Sequence, residues 1–190
     1  MKNKLISYAK VILGMALVCL GFTGCATQPA ATSTMTSSIA AESRAALHGL
    51  YQENPQARAL GARAEGILVF PNITKGGFVV GGMGGNGALI LPDGSIRSFY
   101  QTAGLSYGLQ AGVQKYGYAL FLMDREAFQN INRSGGWEIG SSPSLVVVDQ
   151  GISRSLSTTT INKGTYAFFF NQRGLMGGLG LQGSKISRLN

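Results

Sequence analysis

The chain has 190 residues and a formal net charge of +8, with 28 glycines but only one histidine and two cysteines. This histidine and cysteine content is too small for a zinc site, and the acidic residues are sparse and dispersed, so the composition excludes a metal centre. The basic residues occur singly rather than in runs. That distribution argues against nucleic-acid binding and fits a solvated surface or an anionic membrane better.

The N-terminus has the pattern of an export signal. Three lysines precede an apolar run at 11–22, which is too short to span a bilayer. The run ends in Phe22-Thr23-Gly24-Cys25, which resembles a lipobox and implies cleavage before Cys25 and acylation of its sulfur, for example with palmitate. An ordinary signal peptide cleaved nearby is the alternative. We predict a signal peptide at 1–24, and its three lysines leave a mature net charge of about +5.

A spacer and two helices follow. Residues 25–38 are rich in Ala, Thr and Ser without periodicity, which predicts a lipidated cysteine on a flexible tether and a folded domain at 39–190. The first helix is predicted to begin after an N-cap at Ser37 or Ser38. A second helix is predicted from Asn54-Pro55 to Gly66. The stripe that recurs at helical spacing in the first helix consists of Ile39, Ser43, Leu47 and Leu50.

After Gly66 the apolar period changes to two, which indicates strands. The clearest stretch is LSYGLQAGVQ at 105–114, read as one strand. A short helix capped by Asp124 interrupts the series. Glycine weakens a strand unless backbones approach closely or curve. We therefore predict an α+β fold in which N-terminal helices precede a strongly curved, mainly antiparallel Gly-rich β-sheet, with closure into a barrel as one outcome. The other strand candidates are 67–70, 78–82, 88–91, 96–100, 116–123, 145–149, 165–170 and 179–186.

Two glycine motifs resemble enzyme signatures. Residues 82–87 match G-x-G-x-x-G, but an apolar strand and a turn follow where a dinucleotide site needs a helix. Residues 104–108 match G-x-S-x-G, but Ser106 lies within the alternating strand pattern, and His48, the single histidine, is upstream. We predict a non-catalytic protein without a cofactor.

Several phrases resemble the SYLF domain, a lipid-binding family whose yeast members were named for actin binding. They are EGILVFPNITKGGFVVGG at 65–82, AGLSYGLQAGVQKYGYALFLM at 103–123, SGGWEIG at 134–140, VVVDQG at 146–151 and GLMGGLGLQGSKI at 174–186. The resemblance runs from about Ala45 to the C-terminus and implies binding to membrane phospholipids. Trp137 and Glu138 fit a core anchor with a hydrogen-bonded carboxylate equally well. The positions that match the family pattern are Lys75, Trp137, Glu138, Gly174, Gly183 and Lys185.

The resemblance and the leader together predict a membrane-anchored envelope lipoprotein whose domain binds phospholipids, anionic ones in particular. Ala26 follows the cysteine, which by similarity to enteric lipoproteins favours the outer membrane. The alternative is a structural or host-facing surface protein that binds another protein through the aromatics at 166–170, although core packing explains these aromatics too. The side chains expected to contact head groups are Lys75, Arg173, Lys185 and Arg188.

Overall fold

The computed structural model describes residues 30–77, 80–107, 112–132, 136–139, 145–148, 164–174 and 184–189. The chain divides into two units, Met1–Ser33 and Thr34–Asn190. Within the described ranges the helices are α1 (Ala30–Glu53), α2 (Pro55–Gly61) and α3 (Arg125–Asn130). The strands are β1 (Gly66–Gly77), β2 (Val80–Ile90), β3 (Ile96–Tyr107), β4 (Gly112–Leu122), β5 (Trp137–Ile139), β6 (Leu145–Val148), β7 (Thr165–Gly174) and β8 (Ser184–Arg188).

Helix α1 begins earlier than predicted. Residues 30–38, expected to belong to the tether, are helical. Ser38 is not an N-cap but an interior residue whose hydroxyl donates to Glu42 Oε1 at 2.8 Å. The predicted stripe is confirmed, because all four of its side chains are buried. Ser43 in this stripe faces the sheet, where its hydroxyl donates to the Val69 carbonyl at 3.4 Å.

The two short helices follow their predicted caps. Asn54 Oδ1 accepts hydrogen bonds from two backbone N–H groups at the start of α2, both at 3.0 Å. Asp124 Oδ1 accepts from the Ala127 N–H at 2.7 Å at the start of α3. Helix α2 ends at Gly61 rather than Gly66, and Gly66 is the first residue of β1.

The strands form one open sheet in the order β5-β8-β3-β2-β1-β4-β7-β6. Neighbouring strands are antiparallel except β6 and β7, which are parallel. Within the described residues the outer strands β5 and β6 do not pair with each other, and the sheet is neither closed nor strongly curled. The predicted α+β class is therefore confirmed, whereas the predicted strong curvature and barrel closure are wrong.

The stretch 105–114 is divided between two strands rather than forming one. Its first residues end β3 at Tyr107, and its last residues begin β4 at Gly112. The period-two pattern suggested a single strand because Leu105 and Val113 do lie on the same face of the sheet. Conversely, β2 joins the two candidates at 78–82 and 88–91 into one strand.

Each face of the sheet carries its own hydrophobic core. On the face that we call the helix face, Leu50 and Leu60 pack with Val69, Phe121 and Phe168. On the opposite face, a second cluster contains the buried Phe70–Tyr118 pair, whose ring centroids are 4.9 Å apart, and residues of α3. Tyr166, Phe168 and Phe170 are buried in the first cluster, so core packing accounts for most of the C-terminal aromatics.

Several strand glycines are required by close packing rather than by curvature. A Cβ at Gly117 would collide with the Phe170 ring, whose Cζ would lie 2.7 Å away. A Cβ at Gly87 would collide with the Val69 carbonyl oxygen and with the Phe70 ring, whose Cγ would lie 3.0 Å away. Real Cβ atoms do not approach carbon this closely, so these glycines make room for aromatic rings over the strands.

Candidate functional site

The glycine motifs do not form a phosphate loop or a nucleophile elbow in this fold. Gly82 to Gly87 lie inside β2, so no helix N-terminus opens there. Ser106 lies in β3, and His48 lies in α1. Among the residues that the structure describes, no cluster of His, Cys, Asp or Glu could hold a metal ion, and none of the helices is long and apolar enough to cross a membrane.

Two of the predicted head-group cations, Arg173 and Lys185, lie on the helix face and are exposed. The strand register aligns them with Lys115, a third exposed cation, in one row across six strands. The row reads Lys185, Ala103, Gly84, Thr74, Lys115 and Arg173, from β8 to β7, and Glu138 of the edge strand β5 is in register with Lys185. Strands lie about 4.8 Å apart, so the Cα atoms of Lys185 and Lys115 are about 19 Å apart.

The adjacent row on the same face consists of two apolar side chains with two glycines between them. It reads Leu105, Gly82, Gly76 and Val113 across four strands. The side chain of Leu105 is 68% exposed and that of Val113 is 58% exposed. Between them, a Cβ on Gly76 or Gly82 would meet no atom nearer than 3.7 Å. We call these two rows together the platform: a flat apolar strip bordered by three cations.

Lys115 and Arg173 are a like-charged pair. They lie directly opposite each other on β4 and β7, and both side chains are exposed on the helix face. Like charges in directly opposed positions of a sheet destabilise it. An anionic group on the platform would remove this repulsion, so the pair favours a negatively charged partner.

Lys75 lies on the other face of the sheet and is only 6% exposed. Its neighbours across the strands are Met83 and Gln114, which are also buried. A bulge places it there: β1 has one extra residue between Phe70 and Ile73, and this residue reverses the alternation that follows. The structure therefore does not support Lys75 as a head-group contact of the platform.

Arg188 also lies on the face opposite the platform, opposite Tyr100 of β3. It is exposed and lines a pocket between β3, β8 and α3. The four predicted cations therefore do not form one site. Arg173 and Lys185 lie at opposite ends of one row on the platform, and Lys75 and Arg188 lie on the other face of the sheet.

Three further family-pattern positions lie in or next to the edge strands of the described sheet. Trp137 and Glu138 are in β5, where Glu138 is in register with Lys185. Gly174 is the last residue of β7 and is in register with Gln114. Gly183 and the predicted lipidation site Cys25 lie outside the described residues, as does the signal peptide. A role for these positions in binding stays a prediction.

Sequence reasoning missed Lys115, Leu105 and Val113, the other large side chains of the platform. Leu105 and Val113 are eight positions apart in the chain, and Lys115 is far in sequence from both Arg173 and Lys185. They share a surface because of the strand register, which period-two patterns do not specify between distant strands. The available signal was the alternation of Leu105 and Val113 with polar residues, which predicted a strand but not which of its faces is exposed.

Residues 103–190 match the family model described as Ysc84, Las17-binding protein actin regulator. The match begins in β3 and includes every described residue of β4, α3 and β5 to β8. The resemblance predicted from the sequence is confirmed over this range. No curated protein matches the chain.

Proposed function

We propose that this chain, whose residues 103–190 are a Ysc84/SYLF domain, binds anionic phospholipid membranes through the platform and does not catalyse a reaction. The observation that carries the proposal is the pair of adjacent rows on the exposed part of the helix face. One row presents Leu105 and Val113 with bare glycines between them, and the other presents Lys115, Arg173 and Lys185.

The shape and charge of the platform fit a bilayer surface. A flat strip without side chains at Gly76 and Gly82 lets the backbone approach the head groups, while Leu105 and Val113 project beyond it. Lys115 and Lys185 are about 19 Å apart, more than twice the Debye length of about 8 Å at physiological ionic strength. These two cations therefore act on a membrane independently, and their contributions add.

The expected affinity is modest. Each lysine or arginine near an anionic surface contributes about 1 kcal/mol, so Lys115 and Arg173 together contribute about 2 kcal/mol. Lys185 adds less than a full charge, because Glu138 is in register with it. Burial of a whole aliphatic side chain contributes about 1.5–3 kcal/mol, and Leu105 and Val113 would be buried only in part. Such a surface needs a second attachment for stable residence at a membrane, since stable anchoring takes two signals.

Acylation of Cys25 would supply that second attachment. We infer that the leader directs export, that Cys25 becomes the lipidated N-terminus and that the acyl chains hold the protein at the outer membrane. The sequence support is the lipobox-like Phe22-Thr23-Gly24-Cys25 and the Ala26 that follows it. Radiolabelled palmitate should then enter the chain and fail to enter a Cys25→Ser variant.

Vesicle binding tests the platform. The full chain carrying Cys25→Ser is mixed with phosphatidylcholine vesicles with and without phosphatidylglycerol, and the bound fraction is measured by flotation. We expect phosphatidylglycerol to strengthen binding and Lys115→Gln to weaken it about fivefold, the equivalent of about 1 kcal/mol. Leu105→Ser should weaken binding to both kinds of vesicle.

Arg63→Gln is the matched control. It removes the same charge from an exposed residue just before β1, at the end of that strand away from Gly76. It should leave vesicle binding unchanged apart from the small effect of net charge. Equal binding to neutral and anionic vesicles, or equal losses in Lys115→Gln and Arg63→Gln, would contradict the proposal and favour a protein partner for the platform.

A further inference from the structure

A second basic site lies across the sheet from the platform. A pocket of about 570 Å³ opens between β3, β8 and α3. Its lining includes three arginines, Arg97, Arg125 and Arg188, which come from three different elements. Among the described residues, none that lines the pocket is acidic, and none of the three guanidinium groups has an ion-pair partner.

A bulge places Arg97 at this pocket. Leu89 and Ile90 are consecutive in β2, but their partners in β3 are Ser98 and Ile96, so Arg97 is the extra residue. Bulges often redirect a side chain beside a functional site. The Arg97 guanidinium carbon lies 5.6 Å from the centroid of the Phe128 ring, which is a cation–π contact with α3. This contact holds the guanidinium at the pocket wall.

The side-chain amide of Asn132, which lines the pocket, makes two hydrogen bonds within the protein. Tyr100 is fully buried, and its hydroxyl donates to Asn132 Oδ1 at 2.7 Å. Asn132 Nδ2 in turn donates to the Phe128 carbonyl at 3.0 Å, so both ends of this amide are held. Burial raises the pKa of Tyr100, while the positive charges of Arg188 and Arg97 oppose that rise, which agrees with both guanidiniums lying near the hydroxyl.

Three like charges around one pocket repel each other. A sphere of the pocket's volume is about 10 Å across, close to the Debye length of about 8 Å, so salt screens this repulsion only in part. A singly charged ligand would compensate one of the three guanidiniums. A group with two or more negative charges and several acceptor oxygens can bridge them, and guanidinium binds phosphate oxygens in a bidentate geometry.

We propose that Arg97, Arg125 and Arg188 form a binding site for a phosphate monoester or pyrophosphate group, separate from the platform. The volume lies within the range of small-ligand pockets, so a phosphate together with part of its organic carrier fits. The carrier is either a soluble molecule or the head group of a lipid. Both present the same phosphate chemistry to the three arginines.

Calorimetric titration of the full chain with inorganic pyrophosphate tests the site. We expect saturable binding, and we expect Arg97→Gln and Arg188→Gln each to raise the Kd about tenfold or more, because each removes a charge-assisted hydrogen bond. Arg63→Gln, which removes the same charge from a residue outside the pocket lining, should leave the Kd unchanged. Thermal unfolding of each variant separates lost binding from lost folding. Arg188→Gln should melt like the parent because Arg188 is exposed, and Arg97→Gln should melt slightly lower because it loses the contact with Phe128.

A second experiment distinguishes a lipid head group from a soluble phosphate compound. The same variants are tested for flotation with phosphatidylcholine vesicles containing phosphatidic acid, a lipid with a phosphate monoester. A loss in Arg188→Gln identifies a lipid head group as the source, and unchanged flotation identifies a soluble phosphate compound. No binding of pyrophosphate by the parent chain, or an equal effect of Arg63→Gln, would overturn the proposal.

Discussion

The Gly117→Ala substitution tests whether the strand glycines serve close packing. The added methyl would lie 2.7 Å from Phe170 Cζ and 2.8 Å from Cδ2, and closer still to Cε2. Favourable carbon–carbon contacts need about 3.5–4.0 Å, so the nearest edge of the ring must move by more than about 1 Å. Phe170 is only 6% exposed, which leaves the ring little space for this movement. Overpacking of this kind costs about 1–3 kcal/mol of unfolding free energy.

The loss of unfolding free energy in Gly117→Ala is measured by thermal and urea unfolding, with circular dichroism as the signal. For a unit of this size, 1 kcal/mol corresponds to about 2–4 °C in Tm, so Gly117→Ala should lower Tm by roughly 2–12 °C. The matched control is Gly76→Ala, whose methyl would meet no atom nearer than 3.7 Å. Alanine is favoured over glycine in a strand by about 0.5–1 kcal/mol, so this control should be neutral or slightly stabilising.

A double-mutant cycle identifies the cause of the effect. In a Phe170→Leu background the ring is absent, and Gly117→Ala should then cost much less than in the parent chain. Equal stability of Gly117→Ala and Gly76→Ala would refute the close-packing explanation. So would an undiminished cost of Gly117→Ala in the Phe170→Leu background, because the ring would then not be the obstacle.

Two further predictions concern stability. Asp124→Ala should lower the free energy of unfolding by about 2–3 kcal/mol in urea titrations. The reason is that the Asp124 carboxylate accepts hydrogen bonds from the N–H groups of both Ala127 and Gly164 at 2.7 Å. A loss below about 0.5 kcal/mol would contradict this, because water would then replace the carboxylate as acceptor. Burial raises the pKa of Tyr116 to about 12. Since the unfolded phenol ionises first, stability should fall as the pH rises from about 10 to 12. Tyr116→Phe should make that fall less steep, and an unchanged pH profile would contradict the assignment.

Local features of the fold could be predicted from the sequence. Asn54 and Asp124 both cap helices as predicted, because a cap depends on a few neighbouring residues. Ser38 is not a cap because the helix continues upstream to Ala30, so Ser38 is an interior residue whose hydroxyl donates to Glu42 Oε1. A cap residue therefore marks a start only when the preceding segment does not continue the helix.

Features that depend on strand pairing could not be predicted. The bulge before Ile73 reverses the alternation, so simple period-two counting from Val69 would place Lys75 on the helix face, where the structure does not have it. The platform depends on the register of six strands, and the arginine pocket depends on a bulge at Arg97 and on the packing of α3. Neither arrangement can be derived from local sequence patterns, because both depend on how distant residues are brought side by side.

The most direct test of the platform maps which surface meets the membrane. In a full chain with Cys19 and Cys25 replaced by serine, a polarity-sensitive fluorophore is attached at Leu105→Cys or Val113→Cys. The control is Ser95→Cys in the β2–β3 turn, about 33 Å along β3 from position 105. With phosphatidylglycerol vesicles, the labels at 105 and 113 should shift to the blue while the label at 95 does not. A shift at 95 alone, or no shift at 105 and 113 under conditions where the chain floats with the vesicles, would contradict membrane binding through the platform.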